Sequence, residues 1–359
     1  MKDDPRDHAT EIRQGEDLDR DALATWLRDA LELDGELAIE QFPSGFSNLT
    51  YLLKLGEREL VLRRPPFGAA GIRGGHDMAR EHRVLSRVVD VWPRVPRPLA
   101  YCDDTEVIGA PFYVMERVSG VILRAKPPKG LELYPARFKA LSKRAIDTLA
   151  ELHALDVDAL GLAELGKGPG YVERQISGWS RRWHKAKTDD VPTMDRAATW
   201  LGENQPADSG VALIHNDYKY DNLVLDPDEP AHIIAILDWE MSTVGDPMMD
   251  LGTTLGYWIE AADPAPLRMF GLTALPGNLD RARLVERYRE QSNCSFDDPL
   301  FYFVYGVFKI GVIVQQIYAR YKAGHTQDPR FADLIHVVQA CGATAERALD
   351  TGRISDLWR

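Results

Sequence analysis

Apolar residues first recur at helical spacing in "RDALATWLRDAL", residues 20–31, which predicts an amphipathic helix after a charged N-terminal stretch expected to fray. The period then changes. "LAIEQFP" (37–43), "LTYLLKL" (49–55) and "ELVLRRP" (59–65) alternate or run apolar, parted by "SGFSN" and "GER", and predict a three-stranded meander. "GHDMAREHRVLSRVVD" (75–90) returns to helical spacing, and "VPRPLAYCDD" and "PFYVMERVSG" predict two further strands. Residues 34–118 therefore read as a small, mostly antiparallel sheet carrying one helix. Beyond Gly120 the helical period dominates. Leu141, Ala145, Leu149 and Leu152 form one stripe within 135–156, and further helices are predicted over 248–260, 278–292, 299–322 and 329–350. A chain of 359 residues exceeds one compact core. The expected class is α+β: a β-rich N-lobe, a short connector near 116–120, and a larger helical C-lobe.

One stretch breaks the apolar pattern. "LIHNDYKYDNLVLD" (213–226) sets His215, Asp217, Lys219, Asp221 and Asn222 between two short apolar runs, and "HIIAILDWE" (232–240) follows as a second strand ending in Asp238. Polar groups at that density cost free energy on burial unless they are paired or used on a ligand, so a tight connection held by core strands is the expected mount for reactive groups. Composition narrows the chemistry. A hydrophobic content of 45%, a charged content of 27% and a net charge of -12 describe an ordinary soluble protein and argue against nucleic acid as its partner. Cys102, Cys294 and Cys341 fit no paired spacing, and the acidic N-terminus has no apolar leader, so a cytoplasmic location is expected. "PLFYFVYGVFKIGVIVQQIY" (299–318) is apolar enough to raise a membrane span, but Lys309 near its centre and Gln315 and Gln316 favour a buried helix.

Asp217, Asn222 and Asp238 are the groups that phosphoryl transfer needs. One carboxylate orients the attacking hydroxyl and accepts its proton, while a second carboxylate and an amide oxygen suit magnesium, which prefers hard oxygen ligands. Two other readings stand beside this one: a His/carboxylate metal-hydrolase site built on His215, Asp217 and Asp238, or Asx side chains that merely satisfy a turn.

"HNDYKYDN" resembles the HxDxxxxN catalytic loop of the aminoglycoside phosphotransferase and choline kinase group, and "ILDWEMSTVGDPMMDLG" is similar to that group's metal-binding segment. The resemblance covers about residues 30–345 and is nearest to the phosphotransferase domains related to those fused to acyl-CoA dehydrogenases. It implies a protein-kinase-like two-lobed fold, with an N-lobe over 1–118 and a C-lobe over 119–359, and it implies ATP and Mg2+. By the same resemblance Asp217 is the base, Lys219 a contact of the γ-phosphate, and Asn222 and Asp238 the metal ligands. His215, Asp246 and Asp250 are structural, the two aspartates bracing the loop. "PSGFSNLTY" would cover the phosphates with Ser44, Phe46, Ser47 and Asn48, although it lacks a GxGxxG pattern. Arg63 stands where the family carries a lysine, with Arg64 the rival should the register slip; Glu81 would be its helix partner, and Glu116 and Val118 the adenine-facing connector.

The acceptor side rests on "YVERQISGWSRRWHKAK" (171–187), which sets Arg174, Arg181, Arg182, Lys185 and Lys187 against Glu173, a local charge of +4. These charges are either a solvated helix face or an anion-binding wall. On the second reading Arg174, Arg182, Trp179 and Trp183, with Trp239, would line a site for a hydroxylated anionic small molecule such as a hydroxyacyl-CoA. The rivals are an aminoglycoside kinase and a catalytically silent nucleotide-binding module. A monomer or homodimer is expected.

Overall fold

The computed structural model describes residues 4–43, 48–68, 76–292, 298–326 and 328–359. Helix α1 (Arg20–Leu31) starts at Asp19, whose side chain accepts from the Asp21 and Ala22 amides. Strands β1 (Leu37–Gln41), β2 (Leu49–Leu55) and β3 (Arg58–Arg64) form the expected meander, followed by α2 (Met78–Val88), β4 (Pro98–Cys102), the single-turn α3 (Thr105–Ile108) and β5 (Phe112–Glu116). The sheet is antiparallel, in the order β1-β2-β3-β5-β4. Both of its faces are covered. Tyr51, Leu53, Leu60, Leu62, Phe112 and Val114 pack on Leu23 and Leu27 of α1, while Val61, Tyr113 and Met115 turn the other way, toward Met78, Val84 and Leu85 of α2. Period two thus decides which arginine faces the cleft. Arg63 shares a face with Val61, whereas Arg64 is buried on the α1 side, donating to the Ile108 carbonyl at 2.9 Å.

Within the described residues the N-terminal stretch, from Asp7 on, is docked rather than frayed. Thr10 and Gln41 exchange backbone hydrogen bonds at 2.8 Å, the Tyr51 hydroxyl donates to the Glu16 carbonyl, and the Asp7 amide donates to the Gly120 carbonyl in the connector. Asp7 also pairs with Arg124. Charge alone suggested fraying; what it missed is that these polar groups have partners along the open edge of β1.

The C-lobe comprises α4 (Pro135–His153), α5 (Tyr171–Ala186), α6 (Pro192–Glu203), short strands β6 (Ala212–Ile214), β7 (Leu223–Leu225), β8 (Ile233–Ile236) and β9 (Thr243–Gly245), then α7 (Pro247–Tyr257), α8 (Arg281–Gln291), α9 (Leu300–Lys322) and α10 (Leu334–Thr351). Helix α6 and strand β9 were not anticipated. The apolar runs flanking the polar stretch do not pair with each other: β6 pairs β9, and β7 pairs β8. Helix α9, 23 residues long and apolar enough to cross a membrane, is instead a core helix with 78% of its apolar window buried. It packs on α7 through glycines. A Cβ at Gly306 would collide with the Gly252 carbonyl, and one at Gly256 would sit 2.7 Å from the Gly306 carbonyl carbon.

Candidate active site

Strand β6 delivers the chain into a connection that turns sharply at Asn216, whose φ is +66°, and ends in a 3-10 turn over Tyr220–Asn222. Two buried anchors hold it. Asp250 on α7, fully buried, accepts from the His215 and Asn216 amides at 2.7 Å each and from His153 Nε2 at 3.1 Å. His215, also fully buried, accepts from the Asp217 amide through Nδ1 at 3.3 Å, so its Nε2 carries the proton and donates to the Leu237 carbonyl at 2.9 Å. Both imidazole nitrogens are thereby committed. Among the described residues no group of three His, Cys, Asp or Glu gathers as a metal centre, and the hydrolase reading falls on that arrangement.

The fixed loop aims Asp217 and Asn222 together. Asn222 Nδ2 donates to the Asp217 carbonyl at 2.8 Å and to Asp217 Oδ2 at 2.9 Å, which leaves the Asn222 amide oxygen pointing elsewhere. Lys219 Nζ lies 3.0 Å from Asp217 Oδ2 and 4.7 Å from the Tyr257 ring centroid. Burial works against its charge, but Asp217, Tyr257 and Asp221 together outweigh it and push the ammonium pKa upward, so it stays charged. Leu237 N donates to the Asn222 carbonyl at 2.8 Å, extending the β7–β8 pairing and setting Asp238 one residue beyond Asn222's partner. Asp238 occupies the left-handed region, with φ +65°.

Arg63 closes the cluster from the N-lobe. Its guanidinium is 2.8 Å from Asp238 Oδ1, 3.5 Å from Glu81 and 3.6 Å from Glu240. Burial opposes its charge, yet the three carboxylates hold its pKa well above the ordinary value. Glu81, on the buried face of α2, is shifted upward because desolvation there exceeds what an arginine shared among three acids returns. Asp238 is also desolvated, but its direct hydrogen bond to Arg63 keeps its pKa below the usual carboxylate value. Asn48 bridges the lobes, donating to Glu240 at 2.7 Å while its oxygen faces His76 Nδ1 at 2.7 Å.

This arrangement coincides with a family match: residues 38–285 fit the phosphotransferase enzyme family, APH. The chain belongs to that family. Acyl-CoA dehydrogenase family member 11 of Gallus gallus is 36% identical over 333 residues, covering 88% of this chain and 41% of that protein. Acyl-CoA dehydrogenase family member 10 of Mus musculus is 32% identical over 325 residues, with 87% and 29% covered. The APH chain thus spans at most about two-fifths of these relatives. A Ralstonia eutropha crystal structure assigned as an aminoglycoside phosphotransferase superposes with a TM-score of 0.76 at 30% identity, covering 92% of this chain and 99% of the other. The aminoglycoside phosphotransferase APH(4)-Ia, at TM-score 0.58 and 18% identity, covers 90% of this chain and 98% of its own and shares the fold. The chain carries a domain of the phosphotransferase family with the two-lobed kinase-like architecture.

Several expected site residues of this APH domain sit elsewhere. Trp183 is fully buried and donates to Asp195 on α6 at 2.7 Å; Trp239 is buried, donates to the Ile236 carbonyl and lies edge-on to His215. Trp179 is buried beneath Arg182, whose guanidinium is 4.5 Å from its ring centroid. No open aromatic ridge exists on α5, because the i, i+4 stripe that carries the indoles is the core-facing stripe. Arg174 is tied to the Gly168 and Pro169 carbonyls, while Arg181 and Arg182 are exposed. Asp246 does not reach the loop over 215–222: it caps α7 and holds Ser209, leaving the bracing to Asp250. The Asn48 side chain is spent on Glu240 and His76 rather than turned to a phosphate, and Ser44, Phe46 and Ser47, like Cys294, lie outside the described residues. The Glu116 amide donates to the Arg97 carbonyl, and Val118 follows two residues past the strand end. Sequence reasoning overlooked Glu240, His76, Tyr257 and Lys309. Glu240 was the findable one, two residues past Asp238 on the same segment.

Proposed function

We propose that the domain is an ATP- and Mg2+-dependent small-molecule kinase that transfers the γ-phosphoryl group to a hydroxyl, with a hydroxyacyl-CoA or hydroxy acid as acceptor. The observation that carries this reading is the convergence of Asp217, Asn222 and Asp238 through one β7–β8 pairing, with Arg63 reaching Asp238 from the other lobe. The donor set fits magnesium: the Asn222 amide oxygen is left over by its own hydrogen bonds, and Asp238 spends only Oδ1 on Arg63. A bound magnesium ion would neutralise charge between the β- and γ-phosphates.

The chain's own groups then divide the work. Asp217 orients the acceptor hydroxyl and takes its proton as the oxygen–phosphorus bond forms and ADP departs. Lys219, charged and beside Asp217, offsets negative charge on the transferred group. Arg63, held by Glu81, meets the inner phosphates through a planar fork in place of a lysine's point charge. Ile122, Val224 and Ala235, with Val118 and Ile234, form an apolar cluster below the connector, suited to a flat purine.

The acceptor class is supported by the acyl-CoA dehydrogenase relatives and by exposed Arg181 and Arg182; the buried tryptophans no longer contribute. Phosphate transfer from ATP to 4-hydroxyacyl-CoA thioesters, free hydroxy acids and kanamycin, read by product mass, tests it. Phosphorylated acyl products are expected. Efficient kanamycin phosphorylation with no acyl product would replace the acceptor, and absence of magnesium-dependent transfer to every acceptor would reject the kinase reading.

A further inference from the structure

Lys309 is the single charged residue between Leu300 and Tyr318 of α9, and it is 1% exposed. An ammonium group is strongly disfavoured in such surroundings unless its protons are all used. Here they are: Nζ lies 2.9 Å from the Asn216 carbonyl, 3.3 Å from Asn216 Oδ1 and 3.3 Å from Thr253 Oγ1. The indole of Trp179 stands 5.8 Å away.

Two of those three acceptors belong to Asn216, the residue immediately before Asp217 and the one held at φ +66°. A non-glycine residue persists in that region only where its surroundings over-determine it. Asn216 is gripped on both sides: Asp250 takes its amide proton at 2.7 Å, and Lys309 takes its carbonyl. That carbonyl belongs to the peptide unit leading into Asp217, so its orientation sets where the Asp217 side chain leaves the backbone. We propose that Lys309 is a positioning residue which locks the Asn216–Asp217 peptide and thereby aims the carboxylate of Asp217. The electrostatic surroundings agree with a strained, purposeful burial. Desolvation pushes the Lys309 pKa down to about 8, with Asp250 and Asp217 pulling upward and Arg182 and Lys219 pushing further down.

The inference rests on the kinase reading for its catalytic consequence, but its structural content is separately measurable. Lys309→Met keeps length and apolar volume while removing every donor; Lys309→Gln keeps two. The first readout is backbone hydrogen exchange in wild type and both variants. Peptides spanning 213–222 should exchange about tenfold faster in Lys309→Met, with α9 and α10 unchanged and Lys309→Gln intermediate. The second is magnesium-ATP turnover with the best acceptor found, or with water. In Lys309→Met kcat should fall on the order of 10²-fold at nearly constant KM for ATP, with partial rescue in Lys309→Gln. Unchanged loop exchange in Lys309→Met overturns the proposal, as does faster exchange spread evenly along α9, which would make Lys309 a packing residue only. Should Lys309→Met fail to fold, wild-type loop exchange in Lys309→Gln overturns it equally. If the wild-type protein turns over no nucleotide, the kinase reading fails while loop exchange still decides the positioning role.

Discussion

Asp250 offers the sharpest test of how this site is held. Its carboxylate is fully buried and accepts two backbone amides and one imidazole proton. Asp250→Ala would leave the His215 and Asn216 amides buried without partners, at about 1–3 kcal/mol each. His153, whose other nitrogen faces Tyr288 at 2.6 Å, would also lose its acceptor. The expected destabilisation is about 3–5 kcal/mol, a large fraction of the roughly 5–15 kcal/mol typical of a domain. Asp250→Asn presents an NH2 toward one of the same amides and should cost about half as much. Urea unfolding at pH 7 measures both. Burial opposes the Asp250 charge, but its bonds to His153 and the loop keep its pKa below the ordinary value. A depressed carboxyl stabilises above its unfolded pKa of about 3.9 and loses that contribution as pH falls through the folded value. The gap between wild type and Asp250→Ala should therefore be full at pH 5–7 and narrow below about pH 4. A loss under about 1 kcal/mol at pH 7, or a gap that widens in acid, would refute the bracing role.

Four further outcomes follow from the same geometry. Asp217→Asn should lower turnover by roughly 10²–10⁴-fold while nucleotide affinity, measured by calorimetry, changes little. Asp238→Ala should abolish the magnesium dependence of ATP binding, and unchanged magnesium-ATP affinity would put the metal elsewhere. Arg63→Ala and Glu81→Ala should each weaken ATP binding, with the double variant costing less than their sum; strict additivity would mean that the 3.5 Å contact has no energetic content. Gly306→Ala, which drives a methyl into the Gly252 carbonyl, should destabilise by about 1–3 kcal/mol or more in thermal unfolding.

How far the sequence could be read differs between the lobes for a physical reason. Period-two patterning in β2, β3 and β5 specifies both strand identity and the faces of the sheet, and it separates Arg63 from Arg64 once the partner strands are known. The polar stretch over 213–226 was legible because so many polar residues between apolar runs demand partners. The partners were not legible from local spacing: Asp250, expected only through the family resemblance, reaches His215 and Asn216 across 35 and 34 residues, Lys309 reaches Asn216 across 93, and Glu240, though two residues from Asp238, meets Asn48 across 192. β9 escaped notice because three residues, Thr243–Gly245, are too few to show a period.

The α5 segment shows where local reasoning turns the wrong way. Trp179 and Trp183 at i, i+4 define a stripe, but a stripe alone does not say whether solvent or protein covers it. The cations, taken alone, place it outside. Yet arginine snorkels, so a guanidinium over an indole marks the rim of a buried surface as readily as an open one. Arg182 lies across Trp179 in that way, and Asp195 of α6, a helix that had not been anticipated, satisfies the Trp183 nitrogen. An exposed pair of indoles would have cost substantial apolar area in water, about 25 cal/mol for each Å² left uncovered. Weighing that cost against the default of a solvated charged face favours indoles inward and charges at the rim. The same weighing applied to Lys309 points inward as well, because a lone lysine in a helix that the fold must bury needs a partner of its own, and the carbonyl of Asn216 is that partner.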